Sequence, residues 1–150
     1  MRIVLAYLIA ILAVPLVATV LVSVASFILM PLTSMLFGLG WTGPARDREA
    51  RAKRSNRALV MLFANEVAAG LVTGFVSMWF AVTLFHWLRV PPSWVVVVLL
   101  ALSLAVKGFL SARTCWANLE GWGPLDALYD VVFTITGIAG MVYAGIRFLR

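Results

Sequence analysis

The sequence predicts an all-α fold, a polytopic helical membrane protein with four transmembrane helices in a small bundle, forming a single membrane domain over residues 1–150. Three observations predict it. First, 63% of the 150 residues are hydrophobic and only 12% are charged, whereas a soluble domain carries roughly 25% charged residues. A water-soluble fold of this length would leave the apolar excess exposed as one large patch. Second, the chain holds separate apolar stretches near or above the about 20 residues that a helix needs to cross a hydrocarbon core about 30 Å thick. Third, Trp41, Trp87, Trp94, Trp116 and Trp122 fall at the ends of those stretches, and only Trp79 lies inside one. Indole is apolar with one N–H that seeks a partner, so it favours the membrane interface. No segment alternates long enough to read as a barrel strand.

The first helix is expected over residues 3–30. No charge interrupts the chain from Ile3 to Gly40. Pro15 removes one backbone donor and predicts a kink, and Pro31 marks the expected end. The apolar run is too long for the h-region of a signal peptide, so it reads as a retained span. A basic cytoplasmic loop follows over 42–57, opened by Gly43 and Pro44. It carries Arg46, Arg48, Arg51, Lys53, Arg54 and Arg57. Beside a span, such a run reads as a loop held inside by its positive charge and drawn to anionic lipid, rather than as a nucleic-acid site. The abundance of Arg, Ala, Glu and Lys in its second half allows a short surface helix running into the next span.

The second helix is expected over 58–88 and ends before Pro91 and Pro92. The third, over 94–111, starts with a valine run, and the short turn between them predicts an antiparallel hairpin. The fourth is expected over 125–148. Pro124 sits at its start and Asp126 in its first turn, where a proline costs nothing and an acid complements the helix dipole. With the basic loop inside, Lys107 and Arg113 also face the cytoplasm, while Arg2, Arg89, Arg147 and Arg150 lie on the other side. That asymmetry fits a multi-pass protein of a bacterial inner (plasma) membrane.

Ionisable residues inside spans are functional candidates, because each costs free energy in lipid unless paired or wetted. Glu66, Lys107 and Asp130 are the candidates here. Because successive helices alternate in direction, all three fall near one face of the membrane, with Asn65 and Asp126 in the same layer. They predict an intramembrane polar network in which Lys107 neutralises Glu66, Asp130 or both. Small residues supply helix-packing faces. Ala69, Gly70, Thr73, Gly74 and Ser77 form a stripe on the second helix, with Gly70 and Gly74 as a GxxxG element. Gly137, Gly140 and Ala144 form one on the fourth. Phe63, Val67, Leu71, Phe75, Phe80 and Val82 are expected on the remaining, lipid-side surface of the second helix.

The single cysteine, Cys115, excludes an internal disulfide, and the single histidine, His86, excludes a haem held by two histidines of this chain. There is no phosphate-binding loop, dinucleotide fingerprint, metal cluster or nucleophile elbow. The residues therefore predict no enzyme, no cofactor and no metal, and leave open only an enzyme embedded in the membrane that works on lipid through Asp130 or Glu66. They predict partners in the lipid bilayer and in other membrane subunits or further copies of the chain, and none in nucleic acid. The first functional reading is a structural or accessory subunit of a membrane complex. The alternative is a homo-oligomeric channel or transporter for an ion or small solute that uses the Glu66/Lys107/Asp130 layer.

Overall fold

In lipid a backbone has no water to bond, so each crossing segment must satisfy its own N–H and C=O groups. The computed structural model describes residues 2–36, 48–117 and 123–150. Among them the chain forms four helices and no strand: α1 (Arg2–Leu36), α2 (Arg48–Trp87), α3 (Trp94–Ala117) and α4 (Gly123–Phe148). Each contains a segment long and apolar enough to cross a membrane: Ile3–Val24, Asn56–Trp87, Trp94–Thr114 and Asp126–Phe148.

Three helices outrun the boundaries expected from sequence. α1 passes through Pro15 and Pro31 to Leu36. A proline removes only one donor, and the apolar residues after Pro31 gain nothing in hydrocarbon by abandoning the helix. α2 begins at Arg48, so most of the expected basic loop is helical. Its Arg, Ala, Glu and Lys residues are good helix formers that extend an existing helix without a new nucleation cost. α3 continues past residue 111 to Ala117. Arg46, Trp41, Glu120 and Trp122 lie outside the described residues, as do the side chains of residues 48–55, Cys115 and Trp116. Arg57 is exposed.

The α2–α3 turn explains how the hairpin closes. Val90 N donates to Phe85 O at 2.9 Å and Arg89 N to His86 O at 3.1 Å. This is the Schellman pattern that satisfies the last carbonyls of a helix. Arg89 takes the left-handed conformation that the pattern requires, with φ 56°. Val90 and Phe85 are both buried, the apolar contact that accompanies such an ending. Tyr7 of α1 ties down this end. Its ring meets Phe85 edge-on at 5.0 Å, and its hydroxyl bonds the Ser93 hydroxyl at 2.8 Å.

Sequence adjacency predicts α2 and α3 as packed neighbours, yet beyond their turn they scarcely touch. The closest pair is α2 with α4. A Cβ on Gly70 would meet Phe133 O at 2.7 Å, and one on Gly74 would strike Gly137 O and Met141 N, the latter at 2.8 Å. A Cβ on Gly140 would collide with Leu71 O. The two backbones lie against each other, which only glycine permits. α3 packs on another side of α4, where Gly108 leaves room for the Thr134 hydroxyl and Gly145 for Val97 and Trp94.

α1 lies on α2 and α3 through a stripe at four-residue spacing, Ala6, Ala10, Val14 and Ala18, all buried. Its Leu5, Leu8, Leu12, Leu16 and Val20 are exposed on the other side of the helix. Phe80 and Val82 belong to the packed interior rather than the lipid side: Val82 is buried and Phe80 packs against the core. The reason is α1, whose covering stripe has no charge or glycine to advertise it. Among the described residues α1 and α4 make no contact. The cross-section is therefore a rhombus, with α2 and α3 as sides shared by α1 and α4, and a gap at its centre.

Candidate functional site

The central gap is filled in one half of the bundle and open in the other. Toward the α2–α3 turn, Val14, Met78, Phe85, Val96, Val97, Met141 and Ala144 form one apolar cluster. Toward the opposite face the side chains become shorter and more polar, and a crevice opens. Its outer part has a volume of about 320 Å³ and is lined by Val22, Ser23, Glu66, Ala69, Leu104, Lys107, Gly108, Ser111, Asp130, Phe133 and Thr134. Its inner part, about 110 Å³, is lined by Val14, Ala18, Thr73, Ser77, Leu100, Ser103 and Met141. The two parts share Val22, Ser23, Leu104, Lys107 and Phe133 as lining residues, so they are neighbours along the bundle. At 1.5 Å per residue, Ser77 lies about 16 Å along α2 from Glu66 and about 15 Å from Trp87. The two hollows together occupy the half of the bundle away from the α2–α3 turn.

Of the polar layer expected from sequence, Glu66, Lys107 and Asp130 converge on this hollow. Asp126 is exposed, Asn65 is half-buried, and neither lines the crevice. Asp130 accepts a hydrogen bond from the Ser111 hydroxyl at 2.6 Å, which joins α3 to α4 across the mouth. A hydrogen bond to a charged group contributes about 1.5–3 kcal/mol.

The hydroxyls of the wall are oriented by their own helices. Thr73 Oγ1 donates to Ala69 O at 2.6 Å, and Thr134 Oγ1 donates to Asp130 O at 2.7 Å. Each has one proton to give, so both meet anything in the crevice only as acceptors, and Ser111 does the same. Ser77, only 2% exposed, also lines the inner hollow.

Sequence reasoning placed Thr73 and Ser77 on a packing face and missed Ser23, Ser103 and Ser111 altogether. Serines at these positions carry no distinctive spacing, and only the approach of three helices reveals them as one wall. The signal available was Asp130, whose depth called for a donor on a neighbouring helix. A separate hollow, about 340 Å³ and lined by Leu71, Val72, Phe75, Gly140 and Tyr143, is wholly apolar and suits a lipid chain.

Comparison of the chain with known protein families, characterised proteins and solved structures finds no match to any of them. The functional argument therefore rests on the crevice itself.

Proposed function

We propose that the chain is a small multi-pass protein of a bacterial inner membrane that binds a small polar or charged solute in its half-membrane crevice. In this reading it is the binding unit of a carrier or channel assembled from copies of itself. One observation carries the proposal. A bundle built only for support closes its centre with side chains at high packing density, whereas this one keeps a hollow lined by Glu66, Lys107 and Asp130 inside its spans. Intramembrane ionisable groups around a cavity mark substrate or ion pathways. The apolar cluster on the far side blocks a continuous pore, so transfer across the membrane needs a second conformation in which that half opens.

A structural or accessory subunit is the second reading, and one feature favours it. α1 has 35 residues, about 52 Å of helix against a hydrocarbon core of about 30 Å. Past its span, Phe27 is 84% exposed, and Ile28, Leu32 and Met35 are exposed as well. A neighbouring subunit is a natural cover for that end. The two readings part in one experiment. The protein is purified alone in mild detergent, reconstituted into liposomes, and assayed for uptake of small ions and polar solutes. The crevice reading expects saturable flux that Glu66→Gln reduces at least tenfold. A silent protein that instead copurifies in fixed ratio with another membrane chain overturns it in favour of the subunit.

A further inference from the structure

The end of the bundle that carries the α2–α3 turn has a hollow of its own, apart from the crevice. It has a volume of about 460 Å³ and is lined by Leu5 of α1, Trp87 and Leu88 at the end of α2, and Arg89. We infer that this hollow binds one anionic phospholipid, with the lipid phosphate on Arg89 and an acyl chain along the outer side of α1. The inference does not depend on what the crevice does.

Charge argues for an anion. α4 ends in this half too, since Gly145 lies against Trp94, the first residue of α3. Among the described residues this half holds Arg89, Arg147 and Arg150 and no Asp or Glu. The described acids belong to the far half. At 1.5 Å per residue Glu66 lies about 32 Å along α2 from Trp87, and Asp130 about 27 Å along α4 from Phe148. Asp126 is one turn further still. Asp47, Glu49 and Glu120 fall in sequence at the α1–α2 and α3–α4 connections. No described carboxylate is therefore within reach of Arg89, which is exposed. A guanidinium is suited to hold two phosphate oxygens at once. The helix ending also fixes where it stands, because Arg89 N donates to His86 O and its φ is 56°. Only the side chain has to be ordered on binding, which lowers the entropic cost.

Depth and shape argue for a lipid. Trp87 closes the second candidate span, and Leu5 lies near the start of the first. The hollow thus sits at the level where acyl chains meet headgroups. Trp87 is 79% exposed and Leu5 53%, so the rim offers an indole and a leucine beside the charge. Leu5, Leu8 and Leu12, at three- and four-residue spacing, are all exposed on α1. They form a track along which an acyl chain leads away from Arg89 into the bilayer. A soluble anion would use the arginine and nothing else of this arrangement.

The test uses the full-length chain in mild detergent, titrated with short-chain phosphatidylglycerol, with phosphatidylcholine of the same chain length and with sodium phosphate at constant ionic strength. A ligand that binds only the folded state raises its unfolding temperature in a saturable way. The expected result is saturable stabilisation by phosphatidylglycerol, weaker stabilisation by phosphatidylcholine and none by phosphate. Arg89→Gln keeps an L-residue at the turn and should weaken phosphatidylglycerol binding roughly tenfold, the worth of one hydrogen bond to a charged group. Arg89→Lys, which keeps the charge without the two-point contact, should fall between. Trp87→Phe keeps an aromatic ring, removes the N–H and should weaken binding by roughly fivefold. Arg57→Gln, at the opposite end of α2, should leave it unchanged. An unaltered gel-filtration volume shows that each variant is folded. Equal affinity for the two lipids overturns the anionic assignment, and equal stabilisation by phosphate overturns the lipid. Binding that survives Arg89→Gln and Trp87→Phe but is lost with Arg57→Gln overturns the location. Copurification of another membrane chain that Arg89→Gln releases gives the hollow to a protein instead and overturns the inference.

Discussion

Arg89 holds a backbone conformation that costs an L-residue about 1–2 kcal/mol and glycine almost nothing. The helix ending needs it there, since Arg89 N and Val90 N must turn back onto His86 and Phe85. Its side chain is exposed at a level where a cation favours headgroups over hydrocarbon. Local strain and interfacial charge are thus opposed at one position. Arg89→Gly should raise the unfolding free energy by about 1 kcal/mol in detergent, and Arg89→Val should lower it by at least as much, as read from denaturation midpoints. A fall with glycine would mean that the guanidinium matters more than the backbone. The two prolines after Arg89 announce a break in the sequence, but nothing there says which residue turns left-handed. The residue usually found at that point is glycine, and an arginine gives no sign of it.

Among the elements, α2 and α4 decide how the bundle is assembled. At Gly74 the facing atoms are the backbone of Gly137 and Met141 rather than side chains, so there is no flexible group to yield. Gly74→Ala should therefore destabilise the protein by about 2–3 kcal/mol, the upper range for overpacking a rigid site. Ala68→Leu on the exposed face of the same helix should be nearly neutral. Equal effects of the two in a thermal or denaturant melt would remove the backbone contact from the argument. The existence of the four helices was legible from apolar length and tryptophan placement, and the small-residue stripes of α2 and α4 were visible at four-residue spacing. The choice of partner was not. GxxxG says that a helix will be approached closely, and says nothing about by which neighbour. The stripe on α1 was hidden for a different reason: alanine and valine among leucines differ in size but hardly in hydropathy. Periodicity searches for polarity pass over it.

For the whole molecule the governing fact is the difference between its two halves, one packed with apolar side chains and one hollow. That difference fixes which side of the membrane reaches the interior. After Cys115→Ser removes the native thiol, Ser103→Cys and Ser111→Cys should react with a charged, membrane-impermeant thiol reagent added from the side that bears Arg57. Neither should react from the side of His86 and Arg89. Leu102→Cys, on the exposed apolar face of α3, should stay unlabelled from both. Labelling of Ser103→Cys from the His86 side would show that the apolar cluster is no barrier. Sequence alone put Glu66, Lys107 and Asp130 at a common depth, and the structure brings those three to a single hollow. Depth comes from counting residues along each helix. Whether three helices enclose a space between them depends on the fourth, and that was beyond reach of any one segment.

The absence of contact between α1 and α4 has a bearing on how the protein is made. α1 leaves the ribosome before α2 and α3, yet it lies upon surfaces of both. It is suited to waiting: no charge interrupts it from Ile3 to Leu36, so it can rest by itself among acyl chains. The segments that follow carry Glu66, Lys107 and Asp130 and are comfortable only in company. Insertion and packing then follow different orders, since α1 enters the bilayer ahead of α2 and α3 and can be seated only after both.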